Sequence, residues 1–449
     1  MSATPFSTIQ KSTTENSIFI VGGGIVGTSL AYYLSKSSTA QNGIPKVIVL
    51  EKSLGSLLGS TNYAPGFVGQ YNDSAIETKL AMDSVREYRT VPNGFDVVGG
   101  MEVAATEPGV ERLKQRCTSA LAAGLPSEMI PVEKAAALAP DFVKTDTIKA
   151  ALHFASDGTA NPGTITAYFR QKAAENGACF VQAGVTGLEV GDDGAIKTIS
   201  TSEGPLNVCS TSRIVLATGI WTRFLLNDAS SASSSGKPIT KSPIPITPVA
   251  HPYTFTPTRA PRQGTPYPFV RWPEQTVYAR DHGTNDGMGT YDHPPIQITD
   301  PFNSALGSWP KIFETALAEG ARTCLKNGEL FQTTDGCTDE EIATAKKRPF
   351  NGIFSVTPDN LPLAGKVGDV QNLWLCAAVW VSHAAGVASI LAREILRGKG
   401  EGGEGGEVSG DDEVVLKALD PNRFLGLEME DLTRNALGRY NDIYNSQPL

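Results

Sequence analysis

The sequence predicts a mixed α/β fold, α+β in part, in which buried parallel strands alternating with helices are interleaved with a region of antiparallel sheet. Three observations carry this. A short apolar strand feeds a glycine turn and a helix within residues 18–34, a second apolar strand ends in an acid at Glu51, and residues 243–300 change to short alternating segments rich in proline and aromatics.

Ile18-Phe19-Ile20-Val21 is too short for a helix and apolar throughout, as a strand covered on both faces must be. Gly22-Gly23-Gly24-Ile25-Val26-Gly27 follows as Gly-x-Gly-x-x-Gly, and Thr28 to Leu34 returns to helical apolar spacing. Gly22 permits the tight turn, Gly24 lets backbone amides approach a pyrophosphate, and Gly27 lets helix and strand pack closely, while the helix N-terminus adds positive potential. Lys46-Val47-Ile48-Val49-Leu50-Glu51 is the second strand; its acid stands at the spacing of a group that accepts hydrogen bonds from ribose hydroxyls and repels a 2′-phosphate. Residues 110–140 hold helical spacing with Leu113, Cys117 and Leu121 on one face, and residues 164–176 do likewise. Arg213 to Gly219 reads as a buried strand entering a small-residue turn, and Thr276-Val277-Tyr278-Ala279-Arg280 as one strand of the antiparallel region. Gly352 to Pro362, Leu373 to Ala377 and Val379 to Gly386 form a second turn, buried strand, turn and helix start, and that helix, Ala385 to Leu396, ends at Arg397-Gly398. Met1 to Asn16 reads as a disordered lead-in, Ser230 to Gly236 and Gly398 to Asp412 as solvated loops, and 413–449 as a tail packing on the body.

Composition narrows the classes. The chain is 40% apolar and 19% charged, an ordinary globular balance for 449 residues. A net charge of -9 without any basic run excludes a nucleic-acid surface. No stretch reaches the roughly 18 apolar residues of a membrane span, and the lead-in carries neither a secretory core nor a presequence. Cys117, Cys179, Cys209, Cys324, Cys337 and Cys376 are scattered, which fits neither a disulfide framework nor a zinc site, and no His-x-x-x-His spacing occurs, so no metal is expected. A reducing compartment follows, cytoplasmic with a mitochondrial one left open; Gln447-Pro448-Leu449 departs from the peroxisomal tripeptide. No Gly-x-Ser-x-Gly elbow follows a strand, which removes a Ser-His-Asp hydrolase.

The late return of the chain favours a flavin over a nicotinamide. A flavin fixed by its diphosphate needs protein around its isoalloxazine, and the helix near His383 can aim its positive pole at the flavin N1 and C2 carbonyl. FAD is the expected cofactor, with a nicotinamide-dependent dehydrogenase as the alternative that one visible spectrum separates.

With these segments in order, the chain resembles the D-amino-acid oxidase-like FAD-dependent oxidoreductases, and within them the flavin half of the dimethylglycine oxidase, dimethylglycine dehydrogenase and sarcosine dehydrogenase group. The resemblance runs from residue 17 to the C-terminus and rests on Gly59-Ser60-Thr61-Asn62-Tyr63-Ala64-Pro65-Gly66, Ser156-Asp157-Gly158, Pro248 to Tyr253, Val277 to Gly283, Phe350 to Ser355 and Val379 to His383. It implies a Rossmann-like FAD-binding domain at 17–96, 157–226 and 351–398, interleaved with a substrate domain at 97–156 and 243–350. In that group a histidine just before the Ala-Pro-Gly stretch carries covalent flavin; here the position is Tyr63, and Gly352 stands about where monomeric sarcosine oxidases have an anchoring cysteine. Noncovalent FAD is therefore expected. The resembled proteins continue into a folate-binding half, and no folate domain is expected here. Expected cofactor contacts are Gly22, Gly24, Ile25, Val26, Gly27, Glu51 and Lys52; Ser60, Thr61, Tyr63, Ala64 and Gly66; Val185, Ala217, Thr218, Gly219 and Trp221; and Asp359, Leu361, Val381, Ser382 and His383.

Hydride leaves a carbon beside nitrogen only when the nitrogen lone pair is available to stabilise the iminium, so the site must bind or create the neutral amine, and a group near pKa 7 helps. The resemblance makes His251, aligned with a substrate-facing residue, and Tyr278, aligned with a hydroxyl that contacts substrate, the catalytic candidates. A structural histidine between prolines and a half-buried sheet aromatic are the plainer readings. Arg271 and Arg280 are candidates for holding a substrate carboxylate, or are exposed strand residues. His383 lies by the flavin or caps a helix, while His282 and His293, in the Asp281–Pro295 loop, read as solvated. The function implied is FAD-dependent oxidation of a secondary or tertiary amine such as dimethylglycine or sarcosine, by hydride transfer to flavin and iminium hydrolysis, with O2 or another electron acceptor. Another amine or specialised metabolite, or a non-catalytic FAD-binding partner subunit, are the alternatives.

Overall fold

Strands that are apolar at every inward position set the order of the first sheet. The computed structural model describes residues 3–11, 15–36, 46–227, 239–301, 304–333, 348–397 and 409–443; Ser230 to Gly236 and most of the Gly398 to Asp412 stretch lie outside them. The chain divides into two compact units, the first formed by Met1–Asn62, Pro162–Thr247 and Ser355–Ala436, the second by Tyr63–Asn161, Pro248–Phe354 and Leu437–Leu449.

In the first unit a six-stranded sheet runs Leu363–Lys366, Leu373–Ala377, Arg213–Leu216, Ile18–Val21, Val47–Glu51, Cys179–Gln182. All neighbours are parallel except the antiparallel edge strand Leu363–Lys366. Crossover helices are needed between parallel strands, and Ile25–Lys36 packs against both Pro162–Glu175 and Ala384–Leu396. The glycine turn therefore opens at the C-terminal end of the central strand, the end at which doubly wound sheets bind ligands. A three-stranded antiparallel sheet, Val185–Val190, Ile196–Thr201 and Gly204–Asn207, completes the unit.

The second unit is built on a nine-stranded mixed sheet ordered Leu306–Gly307, Phe350–Val356, Thr247–Phe255, Asp286–Thr290, Val277–Asp281, Phe269–Trp272, Gly100–Ala104, Ala150–Phe154, Ser127–Ile130. Phe269–Trp272 and Gly100–Ala104 are parallel, whereas Val277–Asp281 is antiparallel to both its neighbours. The period of two sends Val277 and Ala279 into an apolar cluster with Leu317, Ala321 and Cys324 of the helix Ile312–Cys324, and so sends Tyr278 to the other face.

Four expectations are corrected. The lead-in contains a helix, Phe6–Lys11: Ile9 is fully buried in the core with Phe19, Ile48 and Val181, and Thr4 N–H donates to Phe180 O at 2.8 Å. Residues 63–96 fall in the second unit because Phe67–Val68 and Phe95–Asp96 both pair with Gly158–Ala160. Residues 110–140 are not one helical stretch but the helix Glu107–Ala122, the strand Ser127–Ile130 and the helix Val132–Leu138. Leu121 is 55% exposed while Leu113 and Ala120 are buried, since seven residues nearly complete two turns and eight swing about 80° further round. Gly410 to Asp412 are helical, because Ser409 caps Gly410–Leu419 by accepting from Asp412 N–H. Among the described residues no helix is long and apolar enough to cross a membrane.

Candidate functional site

The glycine turn of the first unit is set by contacts that leave no room for side chains. Gly22 has φ +105°, and a Cβ there would stand 2.5 Å from Ala217 O, while one on Gly27 would overlap the Gly22 carbonyl. Bare backbone therefore faces the N-terminus of Ile25–Lys36, whose first turn holds Ile25 and Val26. Glu51 is pinned beside it, Oε2 accepting Gly23 N–H at 2.5 Å and Oε1 accepting Ser53 N–H at 3.1 Å. Thr61 Oγ1, on the single turn Ser60–Asn62, accepts Ile25 N–H at 3.2 Å. Ala217 N–H donates to Val21 O at 2.8 Å, and the Thr218 and Thr222 hydroxyls on either side of the Gly219–Trp221 turn are 2.9 Å apart. Trp221 lies beside Gly59, and exposed Lys52 lies along Gly184, the neighbour of Val185.

The second turn of this unit is held from within. Arg423 grips both Asp359 oxygens, at 2.8 and 3.0 Å, and Leu361 N–H donates to Asp359 Oδ1 at 3.1 Å, so that carboxylate is committed to the turn. Val381, Ser382 and His383 form one turn that leads into Ala384–Leu396, whose N-cap residue His383 makes no side-chain capping hydrogen bond. His383 is buried; its Nδ1 is 3.1 Å from Ser382 Oγ and its Nε2 has no hydrogen-bond partner among the described residues. Burial pushes its pKa down to about 4, so the ring is neutral. A buried polar atom left unpaired is costly, and here it sits at the start of a helix in the same unit as the glycine cradle and the fixed carboxylate. These residues fit FAD: Gly22 to Gly24 for the diphosphate, Glu51 for the ribose, and His383 with the helix start for a polar acceptor edge of the ring system.

Tyr63, Ala64 and Gly66 belong to the second unit. The Tyr63 hydroxyl is 3.4 Å from Ser304 Oγ and its ring packs on Phe350. Arg280 donates to Pro65 O at 2.6 Å and to Asp281 O at 3.1 Å, so its fork is committed to backbone carbonyls. Arg271 lies over the rings of Phe67 and Phe269, centroids 5.0 and 5.2 Å away, and 3.4 Å from Glu102, whose carboxylate Arg116 already grips at 2.7 and 3.0 Å. Neither arginine is an exposed strand residue; both are half-buried, because each is drawn inward by the groups it binds.

The structure brings His251 and Tyr278 together. His251 Nε2 is 2.7 Å from Tyr278 Oη, and its Nδ1 is 2.8 Å from Oη of Tyr440 on the last turn of Met429–Asn441. Tyr440 Oη is in turn 2.6 Å from His293 Nε2, and His293 Nδ1 is 2.8 Å from Pro294 O. All four side chains are buried. Tyr278 fits because its strand partner is Gly289, where a Cβ would overlap the tyrosine ring. His251 is not a group near pKa 7: burial holds it well below the usual imidazole value, and His293 lowers it further. The solvated reading of His293 is also corrected, since the ring is enclosed by Tyr440 and Phe313; His282 is half-buried, its Nε2 2.7 Å from Tyr253 Oη.

Sequence reasoning does not single out Tyr440 and reads His293 only as a solvated loop residue. The signal for Tyr440 was present in the four-residue spacing of Leu432, Ala436 and Tyr440, all buried. For His293 no local pattern exists, because the side chain it meets, Tyr440, comes from a helix 147 residues away in sequence.

Residues 17–394 match the family described as DAO, FAD dependent oxidoreductase. Mitochondrial dimethylglycine dehydrogenase of Homo sapiens is 26% identical over 424 residues and that of Rattus norvegicus 28% over 427, each alignment covering 90% of this chain and 44% of the relative. The chain thus spans less than half the length of these relatives. Among solved structures, L-proline dehydrogenase from P. horikoshii matches with a TM-score of 0.71 at 21% identity, covering 92% of this chain and 98% of that one.

Proposed function

The chain belongs to the DAO family of FAD dependent oxidoreductases, and from that premise we propose that it oxidises a secondary or tertiary amine, an N-methylated amino acid such as dimethylglycine or sarcosine. The observation that carries the reading is the buried His251–Tyr278 pair. A neutral imidazole that accepts the Tyr278 O–H leaves the phenol oxygen more electron-rich and suited to receive an N–H from a substrate ammonium. The amine that has lost this proton has the lone pair that a developing iminium requires. When bound, FAD supplies the acceptor for the hydride leaving the carbon beside nitrogen. Water then adds to the iminium and the C–N bond breaks, giving formaldehyde when that carbon is a methyl. Arg271, a cation held over two aromatic rings in the same unit as the pair, is the group assigned to a substrate carboxylate. The names of the two mitochondrial relatives support the choice of N-methylated amino acids.

FAD is held without a covalent bond in this reading, Tyr63 standing where a histidine would be needed. Acid precipitation should release yellow flavin into the supernatant. Anaerobic addition of dimethylglycine or sarcosine should bleach the flavin bands, and Tyr278→Phe should slow that bleaching by about 10²-fold with FAD still bound. A flavin that stays oxidised across a panel of N-methylated amino acids would overturn the substrate assignment.

A further inference from the structure

The hydrogen bonds around His251 have a single direction, and that direction follows from which atoms carry protons. Pro294 O has no proton to give, so His293 Nδ1–H donates to it. In a neutral His293 ring the other nitrogen is then bare, and Nε2 accepts the Tyr440 O–H. A hydroxyl has one proton, so Tyr440 Oη must accept the next bond, from His251 Nδ1–H. The neutral His251 ring is then bare at Nε2, which accepts the Tyr278 O–H. Four consecutive bonds of 2.6 to 2.8 Å thus point from Tyr278 toward His293.

We propose that Tyr440 and His293 extend the His251–Tyr278 pair into a one-way relay that carries the substrate amine's proton from Tyr278 to His293. This rests on the amine-oxidation reading. The amine N–H proton moves to Tyr278 Oη, the Tyr278 proton to His251 Nε2, the His251 Nδ1 proton to Tyr440 Oη, and the Tyr440 proton to His293 Nε2. One N–H bond breaks at the amine and one forms at His293; His251 ends neutral in its other tautomer, and no electrons are transferred in the relay. The positive charge leaves the amine and comes to rest on His293.

His293 is the better resting place on the geometry. The His251 ring is surrounded by the rings of Tyr278, Tyr291, Phe354 and Tyr440. His293 has the Pro294 carbonyl on Nδ1 and the Asp292 carboxylate as its sequence neighbour, and both favour its charged form against the effect of burial. The titratable groups set against His293 are Asp292 on its own segment, Tyr440 from the C-terminal helix and His251 from its strand; the helix Ile312–Cys324 offers the uncharged Phe313. Tyr440 and His293 act through His251 and are positioning residues for it.

Two measurements test the relay. Long-range ¹H–¹⁵N spectra of the histidine rings in the substrate-free protein should show His251 and His293 neutral with the proton on Nδ1, and His251 should lose that preference in Tyr440→Phe. Anaerobic flavin reduction by dimethylglycine should then be followed against pH in Tyr440→Phe and in His293→Gln, whose amide oxygen can still accept from Tyr440 but cannot hold the proton. Each should slow reduction by about 10²-fold well below the pKa of the amine and approach the wild-type rate as the amine arrives neutral, with substrate Kd and FAD content unchanged. A His251 proton found on Nε2, a wild-type pH profile in His293→Gln, or a loss of equal size at every pH overturns the relay. A wild-type flavin that no amine reduces overturns the amine reading and removes the relay's cargo with it; the ring-nitrogen spectra tell that failure from a reversed hydrogen-bond chain.

Discussion

Gly24 shows how little space separates a binding turn from a closed one. A Cβ at this position would stand 3.0 Å from Thr61 Oγ1, the atom that takes the Ile25 N–H. Valine adds two further carbons and a stiff χ1, so Thr61 must move and the bare backbone proposed to receive the diphosphate is covered. Gly24→Val should therefore fold with wild-type circular dichroism but purify without flavin absorption. A yellow Gly24→Val protein with wild-type flavin content would show that the turn is not the diphosphate site. Gly27 differs, because a Cβ there meets backbone rather than a side chain that can turn away. The same distinction explains what was legible at residue scale. The turn at Gly22, Gly24 and Gly27 and the placement of Glu51 beside it could be read because the spacing between them is local and the geometry follows from backbone chemistry. Both carboxylate oxygens of Asp359 are taken by Arg423, 64 residues further on, and nothing in the local pattern specifies such a partner.

At the scale of elements, a parallel strand must be apolar wherever it is covered on both faces, which is why Ile18–Val21, Val47–Glu51 and Leu373–Ala377 announce themselves in sequence. The helix Phe6–Lys11 does not. It is six residues long, too short to show a helical period, and a single side chain, Ile9, is fully buried. That one side chain separates a docked helix from a disordered lead-in. Ile9→Ala should lower unfolding free energy by about 2–4 kcal/mol, the range for emptying a buried aliphatic site, and should be read from thermal or denaturant melts. No change in stability would mean that the segment is not docked. The helix Ala384–Leu396 illustrates the opposite relation of element to site: its course is legible from apolar spacing, but the buried setting of His383 at its N-cap, where the imidazole makes no capping hydrogen bond, depends on how Val381–His383 turn into it.

Across the whole molecule, each unit is assembled from three separate stretches of chain, so local patterns report elements better than they report sites. His251, Tyr278, His293 and Tyr440 span 189 residues of sequence from first to last and meet only because strands at 247–290 and the C-terminal helix converge in the second unit. His251 and Tyr278 came from a family resemblance; Tyr440 shows locally only as one more position on the buried face of its helix, and His293 has no short-range signature. The same burial that hides them gives the molecule a pH signature. His153, His251, His293 and His383 all have imidazole pKa values lowered by desolvation, so the unfolded chain binds protons at a pH where the folded one does not. For a base whose folded pKa is depressed, stability is present above the unfolded value and is lost as pH falls toward the folded one. For His383, depressed from 6.5 to about 4, that window opens below pH 6.5, and the loss between pH 7 and pH 5 comes to about 2 kcal/mol. Asp157 works in the other direction: burial raises its carboxyl to about 7, so its contribution is present at low pH and is lost as pH rises through that value. The total curve is therefore a poor test, and a difference between variants is a good one. His383→Gln keeps a buried polar side chain but cannot titrate. Its unfolding free energy should fall less than that of the wild-type protein between pH 7 and pH 5, by about 2 kcal/mol. Parallel curves for the two proteins would mean that His383 is not held neutral in the folded state.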